Sequence, residues 1–239
     1  MKHPGFFELM GFGPQGWGYA LLGAALMTLI VTISSFLLGS IIGVFGAWAK
    51  VSGSRMSRLG ADGYTTVLRG IPDILVIYLF YFGGSSALSA LGKYFGTNGF
   101  INFPGILAGA LAIGVVSGAH QTEVFRGAFN VVHKGELEAA RACGMNRILR
   151  FRRVIAPLTI RLALPALGNV WQTALKGSAL VSITGASEIM RQAALGAGAT
   201  GKPFSFYSAA LILYLIISSL SGWGFSLAET RFSKGIRRN

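Results

Sequence analysis

The sequence predicts an all-α integral membrane protein with five membrane-spanning helices. Hydrophobic residues make up 52% of the 239 residues and charged residues only 12%, against about 25% charged residues in typical soluble domains. The mean hydropathy of the chain is +0.59. Five long apolar stretches follow one another, and each has about the 20 residues that a helix needs to cross a bilayer, or more.

The apolar stretches set the expected spans. These lie at about residues 17–49, 64–82, 104–131, 164–184 and 206–227. The first carries no charge before Lys50, and its length predicts a long or tilted helix. The 34 glycines of the chain suit close packing between helices in lipid. We expect a single transmembrane domain over residues 1–239.

Basic residues predict the orientation of the chain. The net charge is +13, which in a soluble protein would suggest a nucleic-acid partner. Here 15 of the 21 Lys and Arg residues fall in the segments after the first, third and fifth spans, and four fall on the opposite side. Because cytoplasmic loops carry such an excess, we expect the N-terminus outside, the C-terminus in the cytoplasm, and no nucleic-acid partner.

The stretch GAGATGKP, from Gly196 to Pro203, is superficially similar to a phosphate-binding loop. Such a loop needs Ser or Thr after its Lys to hold magnesium, and this chain has Pro203 there. The proline also removes a backbone N–H that would face the phosphates. The predicted orientation places the stretch outside the cell, so we interpret it as a glycine-rich connector between helices.

The segment between the third and fourth spans, about residues 132–163, is too long for a tight turn and too polar to span. Residues 136–153 have a helical composition. Gly144 divides two short helical pieces, as a residue that tolerates a positive φ would, and Pro157 suits the start of a new helix. The segment predicts a short amphipathic helix pair that presents one surface to a cytoplasmic partner.

Residues 138–157, EAARACGMNRILRFRRVIAP, resemble the EAA loop of ABC importer permeases. Val154 and Ala156 stand where that loop usually has Ile and Leu. Three further stretches resemble the polar amino-acid permeases, in particular the Q-type subunits of histidine/lysine/arginine/ornithine and octopine/nopaline uptake systems: DGYTTVLRGIPD (62–73), EVFRGAF (123–129) and GNVWQTALKGSALVS (168–182). The positions that match the EAA motif are Glu138, Ala139, Ala140, Gly144 and Pro157.

The resemblance implies a type I importer permease in the bacterial inner membrane. Such an importer pairs this chain with a second permease, which the resemblance suggests is a paralogue, and with two copies of a cytoplasmic ATPase. A periplasmic binding protein delivers the solute, expected here to be a polar and basic amino acid or an opine. The EAA loop would dock on the ATPase, which holds ATP and magnesium, so no cofactor is expected on this chain.

Polar residues within the expected spans are candidates for the solute pathway, because leaving them in lipid is costly. Asn169, Gln172 and Lys176 share one helical face, and Lys176 would lie about 16 Å beyond Pro165, near the middle of the membrane. The Lys176 ammonium could hold a solute carboxylate, with the two amides orienting it. An interhelical lock to an acid of a partner subunit explains the same pattern equally well.

Two further charged pairs have local explanations. Asp73 lies four residues after Arg69, so an i,i+4 pair accounts for it, although Asp73 is also a candidate site for a cationic side chain. Glu123 and Arg126 are spaced as an i,i+3 pair near the inner end of the third span. We interpret them as a structural pair that supports the EAA loop.

Other classes of function are less well supported. An ion-coupled secondary transporter or channel for amino acids is the main alternative, but it predicts inverted repeats or proton relays, and it gives the EAA loop no role. An enzyme would need a convergent nucleophile, base or metal set. Three scattered histidines and the single Cys143 do not supply one, so we expect neither a catalytic nor a metal site.

Overall fold

The computed structural model describes residues 5–14, 16–96, 99–132 and 134–232, which contain helices and no strand. The order of the elements is α1 (Phe6–Met10), α2 (Gly18–Ser52), α3 (Arg55–Gly70), α4 (Asp73–Tyr78), a π-helical segment (Leu79–Gly83), α5 (Gly84–Tyr94), α6 (Gly105–Val131), α7 (Lys134–Ala142), α8 (Arg147–Arg150), a second π-helical segment (Phe151–Ile155), α9 (Ala156–Gly177), a 3₁₀ segment (Ser178–Thr184), α10 (Ile189–Thr200) and α11 (Pro203–Phe232).

Five helical stretches are long and apolar enough to cross a membrane, which confirms the expected all-α class and number of spans. They are Gly18–Ser52, Asp73–Tyr94, Gly105–Val131, Arg147–Thr184 and Pro203–Phe232. Within Gly105–Val131, 61% of an 18-residue apolar part is buried inside the chain, whereas the corresponding share in Pro203–Phe232 is 11%. The third stretch is therefore central to the packing of this chain, and the fifth offers most of its surface to lipid or partners.

The second span, expected at 64–82, was placed wrongly. Helix α3 ends at Gly70, and the next helix begins at Asp73 after Pro72, whose ψ is 133°. A proline disfavours the helical conformation at the residue before it, and here α3 ends in the middle of the expected span. Arg69 and Asp73 therefore lie on different helices, and the expected i,i+4 pair does not form.

The fourth span begins earlier than expected. Helical structure is continuous from Arg147 to Thr184, over 38 residues, whereas the sequence predicted 164–184. Pro165 lies inside α9 and does not mark a boundary. The distance of Lys176 from Pro165 is therefore no measure of its depth, and Lys176 lies in the last turn of α9.

Contacts between residues divide the chain into two compact units, each made of three segments. The first comprises Met1–Leu37, Ile71–Gly114 and Thr173–Ser219, and the second comprises Leu38–Gly70, Val115–Gln172 and Leu220–Asn239. Four of the five boundaries between these segments fall inside the long helices α2, α6, α9 and α11, and the fifth follows the end of α3. The expectation of one domain over residues 1–239 stays a prediction.

The first unit packs around Phe206, which is fully buried. Glu188 supports this core: it is also fully buried, caps α10 by accepting the N–H groups of Met190 and Arg191, and accepts the Tyr214 hydroxyl at 3.0 Å. Burial raises the pKa of Glu188 above its usual range despite these bonds. The buried hydrophobic members of the core are Leu9, Ala24, Ala25, Ile189, Ala193, Ala197, Phe206 and Ala210.

The second unit depends on the close approach of α2 and α6. Gly39, Gly43 and Gly46 recur on one face of α2. A Cβ at each would come within 2.8 Å, 2.7 Å and 2.4 Å of Gln121 or Thr122, so only glycine fits there. Because glycine has only a hydrogen atom where other residues have a Cβ, the two backbones can approach closely, as in many membrane helix pairs.

The GAGATGKP stretch has a packing role, which agrees with its interpretation as a connector. Its first residues end α10, and Gly201 ends the helix with φ +68° before Pro203 begins α11. A Cβ on Gly196 would lie 2.1 Å from the Phe206 ring, whereas a Cβ on Gly198 would meet nothing within 4 Å. The glycine at 196 is required by the buried ring.

We expect Gly196→Ala to destabilise the protein by about 1 to 3 kcal/mol, because the new methyl overpacks the core around Phe206. Gly198→Ala is the matched control on the same helix, and it should be neutral or slightly stabilising. The measurement is thermal unfolding of the two purified variants in detergent. Equal unfolding temperatures would contradict the packing role of Gly196.

Candidate functional site

The stretch at about residues 132–163, which contains the EAA motif and is called the coupling segment below, has two short helices around Gly144. Helix α7 ends at Ala142, and Gly144 adopts φ +71°, which confirms the prediction of a positive φ. The Gly144 N–H donates to the Arg141 carbonyl at 2.9 Å, and the Met145 N–H donates to the Ala140 carbonyl at 3.1 Å. This pair of bonds is the Schellman arrangement, which closes a helix where an L-residue would be strained.

The second helix of the segment, α8, begins with a side-chain cap. The Asn146 side chain accepts the Leu149 N–H at 2.8 Å, which satisfies one of the free donors at a helix start. The cap and the Gly144 turn are both encoded within a few residues. The turn between α7 and α8 is therefore fixed locally by the sequence.

The coupling segment presents much of its surface outwards. Glu138 and Ala139 are exposed, and Ala140 is 5% exposed and anchors the helix. Ile148 is 72% exposed and Phe151 is 55% exposed. Exposed large apolar side chains of this kind often mark a surface that a partner protein covers.

Pro157 does not start a new helix, contrary to the sequence prediction. It is the second residue of α9, and the helix enters it directly from the π-helical segment Phe151–Ile155. Proline has no N–H to donate to the preceding turn, and a widened turn is a common way for a helix to absorb such a defect. The coupling segment and the fourth span thus share one continuous helix.

A network of charges centred on Lys50 ties α2, α3 and α6 together in the second unit. The Lys50 side chain is 6% exposed, and its Nζ lies 2.8 Å from Asp62 and 2.5 Å from Glu123. It also donates to the Thr65 hydroxyl at 2.6 Å. Three oxygens from two helices therefore satisfy the three donors of a buried ammonium.

Arg126 completes the network on α6. Its Nε and Nη2 atoms donate to Glu123 at 2.8 Å and 2.6 Å, which confirms the predicted i,i+3 pair. Sequence reasoning missed Lys50, Asp62 and Thr65 as partners of this pair. The available signal was Lys50 itself, a charge in the last turn of a long apolar helix, but its partners lie on other helices and no sequence spacing reveals them.

Asn169 and Gln172 lie together, as the helical spacing predicted. Both line a cavity of about 200 Å³ between α9 and α11, with Gly222, Ser226 and Glu229 on the opposite wall. The Gln172 amide nitrogen lies 3.6 Å from where a Gly222 Cβ would be. The cavity offers amide and carboxylate groups, which bind amino and guanidinium groups.

Asp73 lies close to α9 at the residue after Lys176. The Asp73 carboxylate is 3.9 Å from the position of a Cβ on Gly177. Lys176 is exposed, and no acidic side chain among the described residues lies within ion-pair distance of it. The two residues therefore belong to neighbouring helical segments of the first unit and do not form an ion pair.

Known proteins resemble this chain over nearly its whole length. Residues 39–234 match the family described as binding-protein-dependent transport system inner membrane component. The chain belongs to this family. The octopine transport system permease protein OccQ of Agrobacterium tumefaciens (strain Ach5) is 54% identical over 98% of each chain. The histidine/lysine/arginine/ornithine transport system permease protein HisQ of Escherichia coli (strain K12) is 40% identical, covering 93% of this chain and 97% of its own.

A solved structure supports the same assignment for the fold. A chain of the crystal structure of an amino acid ABC transporter with histidines superimposes with a TM-score of 0.76 at 32% identity. The match covers 90% of this chain and 95% of the other. The protein is therefore a membrane permease of the binding-protein-dependent transport family, with the fold of an ABC amino-acid transporter subunit.

In this permease, we expect Lys50→Met to lower the free energy of unfolding by about 2 kcal/mol, because Glu123 then loses a charged partner in a buried setting. Arg55→Met is the matched control, since Arg55 is exposed at the start of α3. Thermal unfolding in detergent measures both variants. If Lys50→Met unfolded at the same temperature as Arg55→Met, the network would not contribute to the stability of the fold.

Proposed function

We propose that the chain is the permease subunit of an importer for basic amino acids or opines in the bacterial inner membrane. The observation that carries this proposal is the 54% identity to OccQ over 98% of both chains. The nopaline permease NocQ is 45% identical. The solutes named for these relatives and for HisQ share an α-carboxylate and a cationic group, so a single site chemistry serves all of them.

The site residues supply both halves of that chemistry. The exposed Lys176 ammonium suits the solute carboxylate. Asp73, beside Gly177, suits the cationic end. Asn169 and Gln172, in their cavity with Glu229, provide further polar contacts along the pathway. In this proposal none of these residues performs catalysis, and the chain moves its solute without altering it.

Energy reaches the permease through the coupling segment. Two cytoplasmic ATPase subunits hold the ATP and magnesium, and one of them docks on Glu138, Ala139, Ala140 and Gly144 of this chain. The exposure of Glu138, Ile148 and Phe151 supports this docking. The helix that continues past Pro157 to Thr184 would carry a displacement of the segment into the fourth span.

The assembly has further members and one orientation. A second permease, proposed to be a paralogue, completes the pathway, and a periplasmic binding protein delivers the solute. The distribution of Lys and Arg supports an orientation with the N-terminus in the periplasm and the C-terminus in the cytoplasm. Four of the residues counted for this orientation, Lys2, Lys234, Arg237 and Arg238, lie outside the described residues.

The complex reconstituted in proteoliposomes should take up arginine only with ATP on the ATPase side and binding protein on the other. Gly144→Trp should abolish this uptake and the solute-stimulated ATPase activity, because Gly144 faces open space and an indole there obstructs docking. Uptake that needs an ion gradient and no ATP would favour the secondary-transporter alternative.

The control for this experiment is Gly144→Ala. It imposes the same left-handed strain on the backbone, about 1 kcal/mol, without the bulk of an indole. Uptake by Gly144→Ala should stay within about twofold of the wild type, since a strain of that size leaves the chain folded. Loss of uptake in both variants, with normal assembly, would assign the defect to the turn and not to docking.

Lys176→Met should reduce uptake by at least about tenfold, the equivalent of one charge-assisted hydrogen bond to the solute. Lys93→Met is the matched control, because Lys93 is exposed in the last turn of α5. Assembly with the other subunits is checked by size-exclusion chromatography. Unchanged transport in Lys176→Met would remove this residue from the solute pathway.

A further inference from the structure

A cavity of the second unit is lined by residues outside both the coupling segment and the proposed solute residues. Its volume is about 640 Å³, and α3, the end of α2 and the later part of α6 line it. Six of the residues around it carry charge: Lys50, Arg58, Asp62, Arg69, Glu123 and Arg126. Four cations thus surround two carboxylates.

The two carboxylates neutralise only part of this charge. Lys50 pairs with Asp62 and Glu123, and Arg126 pairs with Glu123. Among the described residues, neither Arg58 nor Arg69 has a carboxylate within ion-pair distance. As far as the described residues go, the cavity therefore holds two guanidinium groups that no carboxylate neutralises.

The sequence of α3 directs these groups to one place. Arg58, Asp62, Thr65, Thr66 and Arg69 recur at spacings of three and four residues, so they lie on one face of the helix. Lys50 fixes the rotation of that face, because it bonds to both Asp62 and Thr65. The buried Lys50 ammonium thus orients the helix, and the orientation brings Arg58 and Arg69 to the cavity.

Exposed apolar side chains border the basic face of α3 and continue around the helix. Met56 is 78% exposed, Leu59 is 60% exposed and Val67 is 55% exposed. A helix with a basic side and an apolar side is typical of the boundary between lipid head groups and acyl chains. We therefore expect the cavity to lie within reach of a lipid phosphate.

We propose that this cavity binds a phosphate group, with Arg58 and Arg69 as its principal ligands and the Thr66 hydroxyl as a further donor. Guanidinium groups bind phosphate oxygens in pairs of parallel hydrogen bonds, and a surplus of two positive charges matches a phosphate. The group belongs either to an anionic phospholipid head group or to a soluble phosphate. The site is separate from the residues proposed to hold the transported solute.

The test uses the complete permease, purified with its accompanying subunits in an uncharged detergent. Short-chain phosphatidylglycerol is titrated and its binding is measured by native mass spectrometry, with phosphatidylcholine as the zwitterionic reference. The double variant R58Q/R69Q is compared with R152Q/R153Q, which removes two exposed arginines of the second π-helical segment. The four residues are exposed and have no ion-pair partner among the described residues, so both variants should fold.

We expect the wild type to bind phosphatidylglycerol more tightly than phosphatidylcholine, and R58Q/R69Q to lose at least about tenfold of that affinity. The control should stay within about twofold of the wild type, because its arginines act only through the general surface charge. Displacement of the lipid by inorganic phosphate would identify a soluble phosphate as a competent ligand. Retention of the lipid in excess phosphate would identify the lipid head group.

Two results would overturn the proposal. The first is equal binding of phosphatidylglycerol and phosphatidylcholine by the wild type, together with no binding of inorganic phosphate. The second is the same loss of affinity in R58Q/R69Q and R152Q/R153Q, which would assign the binding to net charge and not to the cavity. Uptake of the solute plays no part in this measurement, so its outcome does not depend on the transport activity.

Discussion

The close approach of α2 and α6 is the constraint on which the second unit depends. Three glycines on one face of α2 remove the side chains that would hold the helices apart, and the polar residues of α6 fill the space. Only at this distance can Lys50 reach Glu123. The ion pair then attaches α3 through Asp62, and the basic cavity follows from that attachment. The Lys50–Glu123 ion pair thus depends on the close packing of α2 and α6.

Lys50 and Lys176 differ in burial and in ion pairing. Lys50 is buried, and its ammonium contacts Asp62, Glu123 and Thr65, so it connects α2 with α3 and α6. Lys176 is exposed and has no ion pair within the described chain. Under the proposed function, the charge of Lys176 is available to a solute that must be bound and released, whereas the charge of Lys50 is satisfied within the chain.

The coupling segment joins local and long-range structure. Its Schellman turn and its Asn146 cap are made within a few residues, so the segment keeps its shape while its exterior stays exposed. The π-helical turn before Pro157 then connects it to the fourth span without a break. If the segment docks on an ATPase as proposed, helices on both sides of one widened turn would connect that surface directly to the fourth span.

Composition and spacing along single helices were enough to predict the membrane class, the five spans, the positive φ at Gly144 and the i,i+3 pair on α6. They misplaced the second and fourth spans, because apolar composition continues across Pro72 and the polar residues before Pro165 belong to one continuous helix. The spacing of Arg58 and Arg69 along α3 predicts a shared face, but the cavity that they line also needs residues of α2 and α6. The partners of Lys50 and the contact of Gly196 with the Phe206 ring likewise depend on packing between different helices, which periodicity within one helix does not encode.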